Sequence, residues 1–321
     1  MLFINSALAL LWAASSASAA RDADGNSTVI GQPKPVEEVI VTADNTVNGT
    51  YVGPDTTVNV LKSKLSVRDN TAAAQIMAFK LRNNKNKDFY AYIEGRDSSG
   101  HAVLVGADGI VVTPSSKKSS TPRPIDDTPA IRVPANTQGV CVSVPRLEGG
   151  RVYFSDRKLL FSVVHNPATD MDSIVGPNYA DDNDPNTLAH YDFIEFNQNH
   201  GDGAFGAATN SVKMIGLPFE LRVSDGSGRP KPGLGVSNQC LDKLCELAIN
   251  EPASGLKCLQ NAKRENVRVV GVKEGNVYDP LDAFTKSDRF KEACLNNGRT
   301  GLGQVGSARP RTFIIDVGER R

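Results

Sequence analysis

From Val39 to about Val223, apolar residues fall in short runs that alternate with polar ones and are cut by Gly, Pro, Asn and Asp. This is the pattern of strands that each bury one face. Phe89-Tyr90-Ala91-Tyr92-Ile93 reads as an aromatic-rich strand, and Ile131-Arg132-Val133 alternates cleanly. Ala102 to Val112 predicts a hairpin turning at Gly106-Ala107-Asp108-Gly109, and Gly150 to Val164 predicts another with Asp156-Arg157-Lys158 at its tip. Thr113 to Pro129 is rich in Ser, Lys and Pro and reads as a loop. Short strands at even spacing indicate an antiparallel β-sandwich or barrel. The period changes after Gly226-Ser227-Gly228-Arg229-Pro230-Lys231-Pro232-Gly233, a linker by composition. Leu241, Leu244, Cys245 and Ala248 then fall on one face of a helix, a second helix is predicted over Asp282 to Cys294, and Val267 to Val270 is strand-like. The expected fold is mainly β, with a smaller C-terminal α/β domain.

Composition narrows the function. The 321 residues carry 36 Lys+Arg against 36 Asp+Glu. That balance gives no basic footprint for nucleic acid and no charged tail. No apolar run reaches the roughly 18 residues of a membrane helix. Leu2 to Ala14 is apolar but too short to span, and Ala17-Ser18-Ala19 supplies the small-x-small step that a signal peptidase accepts. The expected layout is therefore a signal peptide at 1–19, a mobile leader at 20–38, a β domain at 39–225 and an α/β domain at 226–321, in a secreted, extracellular, monomeric protein. Four of the five cysteines, Cys240, Cys245, Cys258 and Cys294, crowd the last third of the chain. They suit two disulfides in any of three pairings. Cys141, inside Val140-Cys141-Val142-Ser143-Val144, reads as a small core residue. No CxxC pair and no paired histidines point to a metal site, and no cofactor is implied.

The chemistry concentrates in Asp184 to Asn199. Strand alternation places Tyr191, Phe193 and Glu195 on one face and Asp192, Ile194 and Phe196 on the other. An acid among aromatic neighbours favours its neutral form, which suits a general acid. Pattern alone reads Glu195 first as a solvent-facing acid on a half-exposed strand. Asp182-Asn183-Asp184-Pro185-Asn186 loosely mimics a calcium loop but lacks its Gly and closing Glu.

Several ordered pieces shift that balance: Phe89-Tyr90-Ala91-Tyr92-Ile93-Glu94-Gly95, Gly150-Arg151-Val152-Tyr153-Phe154-Ser155, Asp184-Pro185-Asn186, Tyr191-Asp192-Phe193-Ile194-Glu195-Phe196, and Asn210-Ser211-Val212-Lys213-Met214-Ile215-Gly216-Leu217-Pro218. Over roughly residues 70–225 the chain resembles the glycoside hydrolase family 64 β-1,3-glucanases, whose barrel is thaumatin-like. The resemblance implies a barrel plus an α/β domain around an open groove for β-1,3-glucan or a related cell-wall polysaccharide, cut with inversion by two carboxyl groups. Glu195 matches the family's acid. Asn197 and Asn199 match sugar-contacting positions, with Thr209 and Asn210 near further contacts, and Tyr191 is a candidate sugar platform. At the family's base position, Val-Asp, this chain has Val212-Lys213. An ammonium cannot accept a proton from water, so either Asp202 substitutes from its loop or activity is impaired. A Lys213–Glu195 ion pair would spoil the acid as well. The resemblance also implies an aromatic-rich C-terminal segment, whereas Asn296 to Arg321 holds one aromatic, Phe313, so the α/β domain is expected to be divergent or to stop early. Two functions stand: a family 64-type hydrolase, or a non-catalytic glucan-binding or interaction protein on the same fold.

Overall fold

Alternating burial builds most of the strands. The computed structural model describes residues 76–179, 181, 183–199, 203–209, 213–224, 234–251, 254–272, 280–295, 304–307 and 310–318. The expected signal, leader and linker, and the candidates Asp202 and Asn210, lie outside these residues. In chain order the first strands are β1 (Ile76–Asn83), β2 (Phe89–Arg96), β3 (Ala102–Val105), β4 (Val111–Val112), β5 (Arg123–Pro124), β6 (Ile131–Val133) and β7 (Thr137–Pro145). There follow β8 (Glu148–Ser155), β9 (Ser162–Asn166), β10 (Met171–Val175), β11 (Tyr191–Gln198), β12 (Phe205–Thr209), β13 (Met214–Ile215) and β14 (Phe219–Ser224). The last part holds β15 (Leu234–Gly235), α1 (Cys240–Asn250), β16 (Leu256–Gln260), β17 (Asn266–Gly271), α2 (Pro280–Thr285), α3 (Asp288–Cys294), β18 (Gln304–Ser307) and β19 (Thr312–Val317).

Two sheets face each other as a sandwich rather than a closed barrel. One runs β15-β14-β19-β1-β7; the other runs β18-β12-β11-β8-β2-β3-β4, with β6 also on β2. Every pairing in them is antiparallel except β1 with β19. Between them lies the main core, where Met77, Phe79 and Leu81 of β1 meet Ile194 and Phe196 of β11. The Phe79 ring sits at its centre, edge-on to Phe196 at 5.0 Å and to Phe313 at 5.2 Å.

The larger sheet is also covered on its outer face. There Tyr92, Tyr153, Tyr191 and Phe193 pack under Leu159, Phe161, Met214 and Val270. Burial on both faces explains why β2 reads as a nearly unbroken apolar run instead of an alternating one. It also explains why the hairpin predicted over Gly150–Val164 does not form. β8 is taken by β2 on one side and β11 on the other, while β9 leaves to pair with β5 and β10. The Ala102–Val112 hairpin does form, as β3 and β4.

A third layer follows. The amphipathic face of α1, Leu241, Leu244, Cys245 and Ala248, packs with Val269, Leu281 and Phe290. Two disulfides fix it, Cys240–Cys294 and Cys245–Cys258, which selects one of the three pairings. The single helix predicted over Asp282–Cys294 is two, because Ser287 takes an extended conformation and its hydroxyl caps α3 at the Phe290 N–H. Cys141 faces outward, contrary to its expected core role: Val142 and Val144 take the inward positions of β7 and leave the cysteine exposed. From the part of the chain after residue 226, β18 and β19 pair into the sandwich, β19 at the centre of the smaller sheet.

Gly150 shows how tight the sandwich is beside the site described next. It pairs with Phe196, and a Cβ there would lie 2.2 Å from the ring. Gly150→Ala is expected to cost about 1–3 kcal/mol through forced repacking. Urea unfolding checks this, and an unchanged midpoint would show that the ring moves aside freely.

Candidate active site

The outer face of the larger sheet is apolar at one end and charged at the other. Along β11, Tyr191 and Phe193 are buried, whereas the Glu195 side chain is 32% exposed. The covering layer ends between Phe193 and Glu195, and Asn197 and Asn199 continue into solvent. The aromatic enclosure expected around Glu195 is thus one-sided.

A cation fills the other side. Register places Glu94 of β2, Arg151 of β8 and Glu195 of β11 directly opposite one another, in one row across three strands. Arg151 Nε lies 3.4 Å from Glu195 Oε1, and its Nη1 lies 3.5 Å from Glu94 Oε1. The guanidinium also lies over the Phe193 ring, 5.7 Å from its centroid. The Tyr153 hydroxyl donates to Glu94 Oε1 at 3.2 Å. Burial raises the pKa of Glu94, against the opposing pull of Arg151 and Tyr153. Burial pushes the Tyr153 phenol well up as well. Sequence reasoning passed over Glu94, Arg151 and Tyr153 as site residues. The available signal was a charged side chain ending the apolar run of β2, just before Gly95.

The other sequence candidates divide. Asn197 Oδ1 accepts from the Gly149 N–H at 3.0 Å, and its amide nitrogen has no partner among the described residues. Asn199 is exposed at the end of β11, where its backbone closes the turn to Gly203 and Ala204. Thr209 pairs with Ile194, whose side chain enters the sandwich core, so alternation turns it away from the Glu195 face. Tyr191 is fully buried, with the Arg268 guanidinium 4.4 Å from its ring centroid, which removes it as a sugar platform.

Lys213 is exposed and lies immediately before β13. It makes no ion pair with Glu195; among the described residues that carboxyl's cationic partner is Arg151. Just beyond Lys213 and β13, Gly216 is clamped. The Asp192 carboxylate accepts from the N–H groups of Gly216 at 2.8 Å and Leu217 at 3.1 Å. The His190 Nε2–H donates to the Gly216 carbonyl at 2.7 Å, and burial keeps that imidazole's pKa low and the ring neutral. Gly216 must be glycine, since a Cβ would lie 2.1 Å from the Tyr191 carbonyl oxygen.

No cluster of ligating residues able to hold a metal occurs among the described residues. The arrangement offers one exposed carboxyl, a guanidinium that fixes it, and adjacent amide side chains that suit sugar hydroxyls.

No curated protein is similar enough to match this chain. Its fold is similar to that of a β-1,3-glucanase domain from Clostridium beijerinckii, with a TM-score of 0.51 and 14% identity over 77% of this chain and 99% of that one. A laminaripentaose-producing β-1,3-glucanase from Paenibacillus barengoltzii, complexed with laminarihexaose, is similar with a TM-score of 0.55 and 15% identity over 76% of this chain and 75% of that one. The family model of the glycoside hydrolase family 64 β-1,3-glucanases matches residues 75–287, more than half of the sequence, and this chain belongs to that family.

Proposed function

We propose that this protein is exported, binds β-1,3-glucan at the Glu195 face, and hydrolyses it weakly at most. The observation that carries the reading is the pairing of an exposed, oriented carboxyl at the family's acid position with a lysine at its base position. Glu195 supplies the proton for the leaving oxygen. Asn197 and Asn199 hold ring hydroxyls. Lys213 leaves the attacking water without a base. The two disulfides and the small-x-small step at Ala17-Ser18-Ala19 support an oxidising, extracytoplasmic setting. The Paenibacillus relative, complexed with laminarihexaose, supports a β-1,3-linked ligand.

Calorimetric titration of the mature chain with laminarihexaose tests this. Saturable binding is expected, weakened about three- to tenfold in Asn197→Ala for the loss of one sugar hydrogen bond. Absence of binding would overturn the glucan reading. The non-catalytic alternative is favoured by the guanidinium of Arg151 on the acid and by a lysine at the family's base position. It predicts that laminarin is bound but never shortened.

A further inference from the structure

We propose that Glu94 is a positioning residue for Glu195, acting through the guanidinium of Arg151 that the two carboxyls share. The inference rests on the reading of Glu195 as the proton donor, and it names what sets that donor's geometry.

The three side chains stand in one row across adjacent strands. Arg151 turns its Nε toward Glu195 and its Nη1 toward Glu94. A planar guanidinium presents its donors in a fixed fork, so an anchor on one edge fixes what the other edge offers. Glu94 is that anchor. Its side chain is 8% exposed and is itself held by the Tyr153 hydroxyl, whereas the Glu195 side chain is 32% exposed. A sugar can reach Glu195 and cannot reach Glu94. The Phe193 ring beneath the guanidinium closes off the direction along β11.

Glu94 also divides the cation, since Arg151 reaches both carboxyls, at 3.5 Å and 3.4 Å. Among the described residues, the charged group paired with Glu195 is Arg151 from β8, with Glu94 from β2 behind it; the partner of Glu195 on β12 is Ala208, and its neighbours along β11 on the same face are Phe193 and Asn197.

The anchor is tested on the guanidinium itself. In the full mature chain, nitrogen-15 NMR of labelled arginine at one fixed pH, with the Arg151 Nε–H resonance assigned by its loss in Arg151→Lys, reads how firmly that N–H is held through its exchange with solvent. Glu94→Gln is expected to speed exchange of the Arg151 Nε–H about threefold or more, although that N–H faces Glu195, because the far edge of the fork has lost its charged anchor. Unchanged exchange in Glu94→Gln overturns the proposal, since a glutamate that did not hold the guanidinium would leave its Nε–H as it was. Should Glu94→Gln fail to fold, Tyr153→Phe replaces it. That variant loosens Glu94 and is expected to speed the exchange too, and no change overturns the proposal. The readout needs no turnover. Faster exchange in a chain that neither binds nor cuts laminarin would sink the glucan reading and leave the coupling standing, whereas glucan binding without the faster exchange would do the reverse.

Discussion

Lys213→Asp is expected to raise laminarin hydrolysis by about 10²–10⁴-fold, the usual contribution of a positioned general base. The expectation comes from the two-carboxyl requirement of inversion. One group must protonate the leaving oxygen while another takes a proton from water on the opposite face of the ring, across a gap of about 6.5–9.5 Å. The first group is present and partly exposed at Glu195. The second position holds an ammonium, which has three protons and no lone pair. Lys213 immediately precedes β13, and Gly216 just after that strand is held by Asp192 and His190. The double variant Lys213→Asp/Glu195→Gln should return to the parent's level. Reducing-end release from laminarin measures all three proteins. If Lys213→Asp gains nothing while laminarihexaose binding is intact, position 213 is not where water is activated, and the assignment from the family's Val-Asp step is wrong. Gain that survives Glu195→Gln would instead displace Glu195 as the donor.

Much of this arrangement is visible in the chain before any coordinates. The alternation of β11 separates Glu195 from the core-facing Ile194 and Phe196, and the helical spacing of Leu241, Leu244, Cys245 and Ala248 marks α1. Local period carries such information because each side chain's face depends only on its neighbours in sequence. What was hidden depends on register between distant strands. Arg151 meets Glu94 from 57 positions away and Glu195 from 44, and no local pattern encodes which residues a strand will face once it pairs. Tyr191 failed as a sugar contact for a related reason. Its face is exposed at Glu195 but covered at Tyr191 by Arg268, which arrives from β17 in another layer. The hairpin predicted over Gly150–Val164 satisfied every local rule. It gave way because β8 gains two long partners by staying in the sheet centre, and a short turn at Asp156-Arg157-Lys158 offers only one.

The end of the chain gives the largest stability effect. Asp316→Ala is expected to cost about 3–5 kcal/mol, the range for removing one partner of a buried ion pair. Asp316 is fully buried on β19, where its carboxylate accepts from Arg222 Nη2 of β14 and lies 3.7 Å from Arg82 Nη1 of β1. Among the described residues Arg222 keeps Glu220, at 3.5 Å, as its carboxylate once Asp316 is gone, and its own side chain is 6% exposed. Arg82 would lose its carboxylate partner and Arg222 its closer one at the middle of the smaller sheet. The penalty is the desolvation of an unbalanced charge, not the net worth of the pair. The double replacement Asp316→Leu/Arg222→Leu should therefore recover much of the loss, since an apolar pair of similar volume has no charge to leave stranded. Urea denaturation of the disulfide-intact protein decides it. A loss below about 1 kcal/mol in Asp316→Ala would mean that β19 is dispensable at the centre of the sheet, and that the chain beyond α3 does not brace the sandwich that carries Glu195.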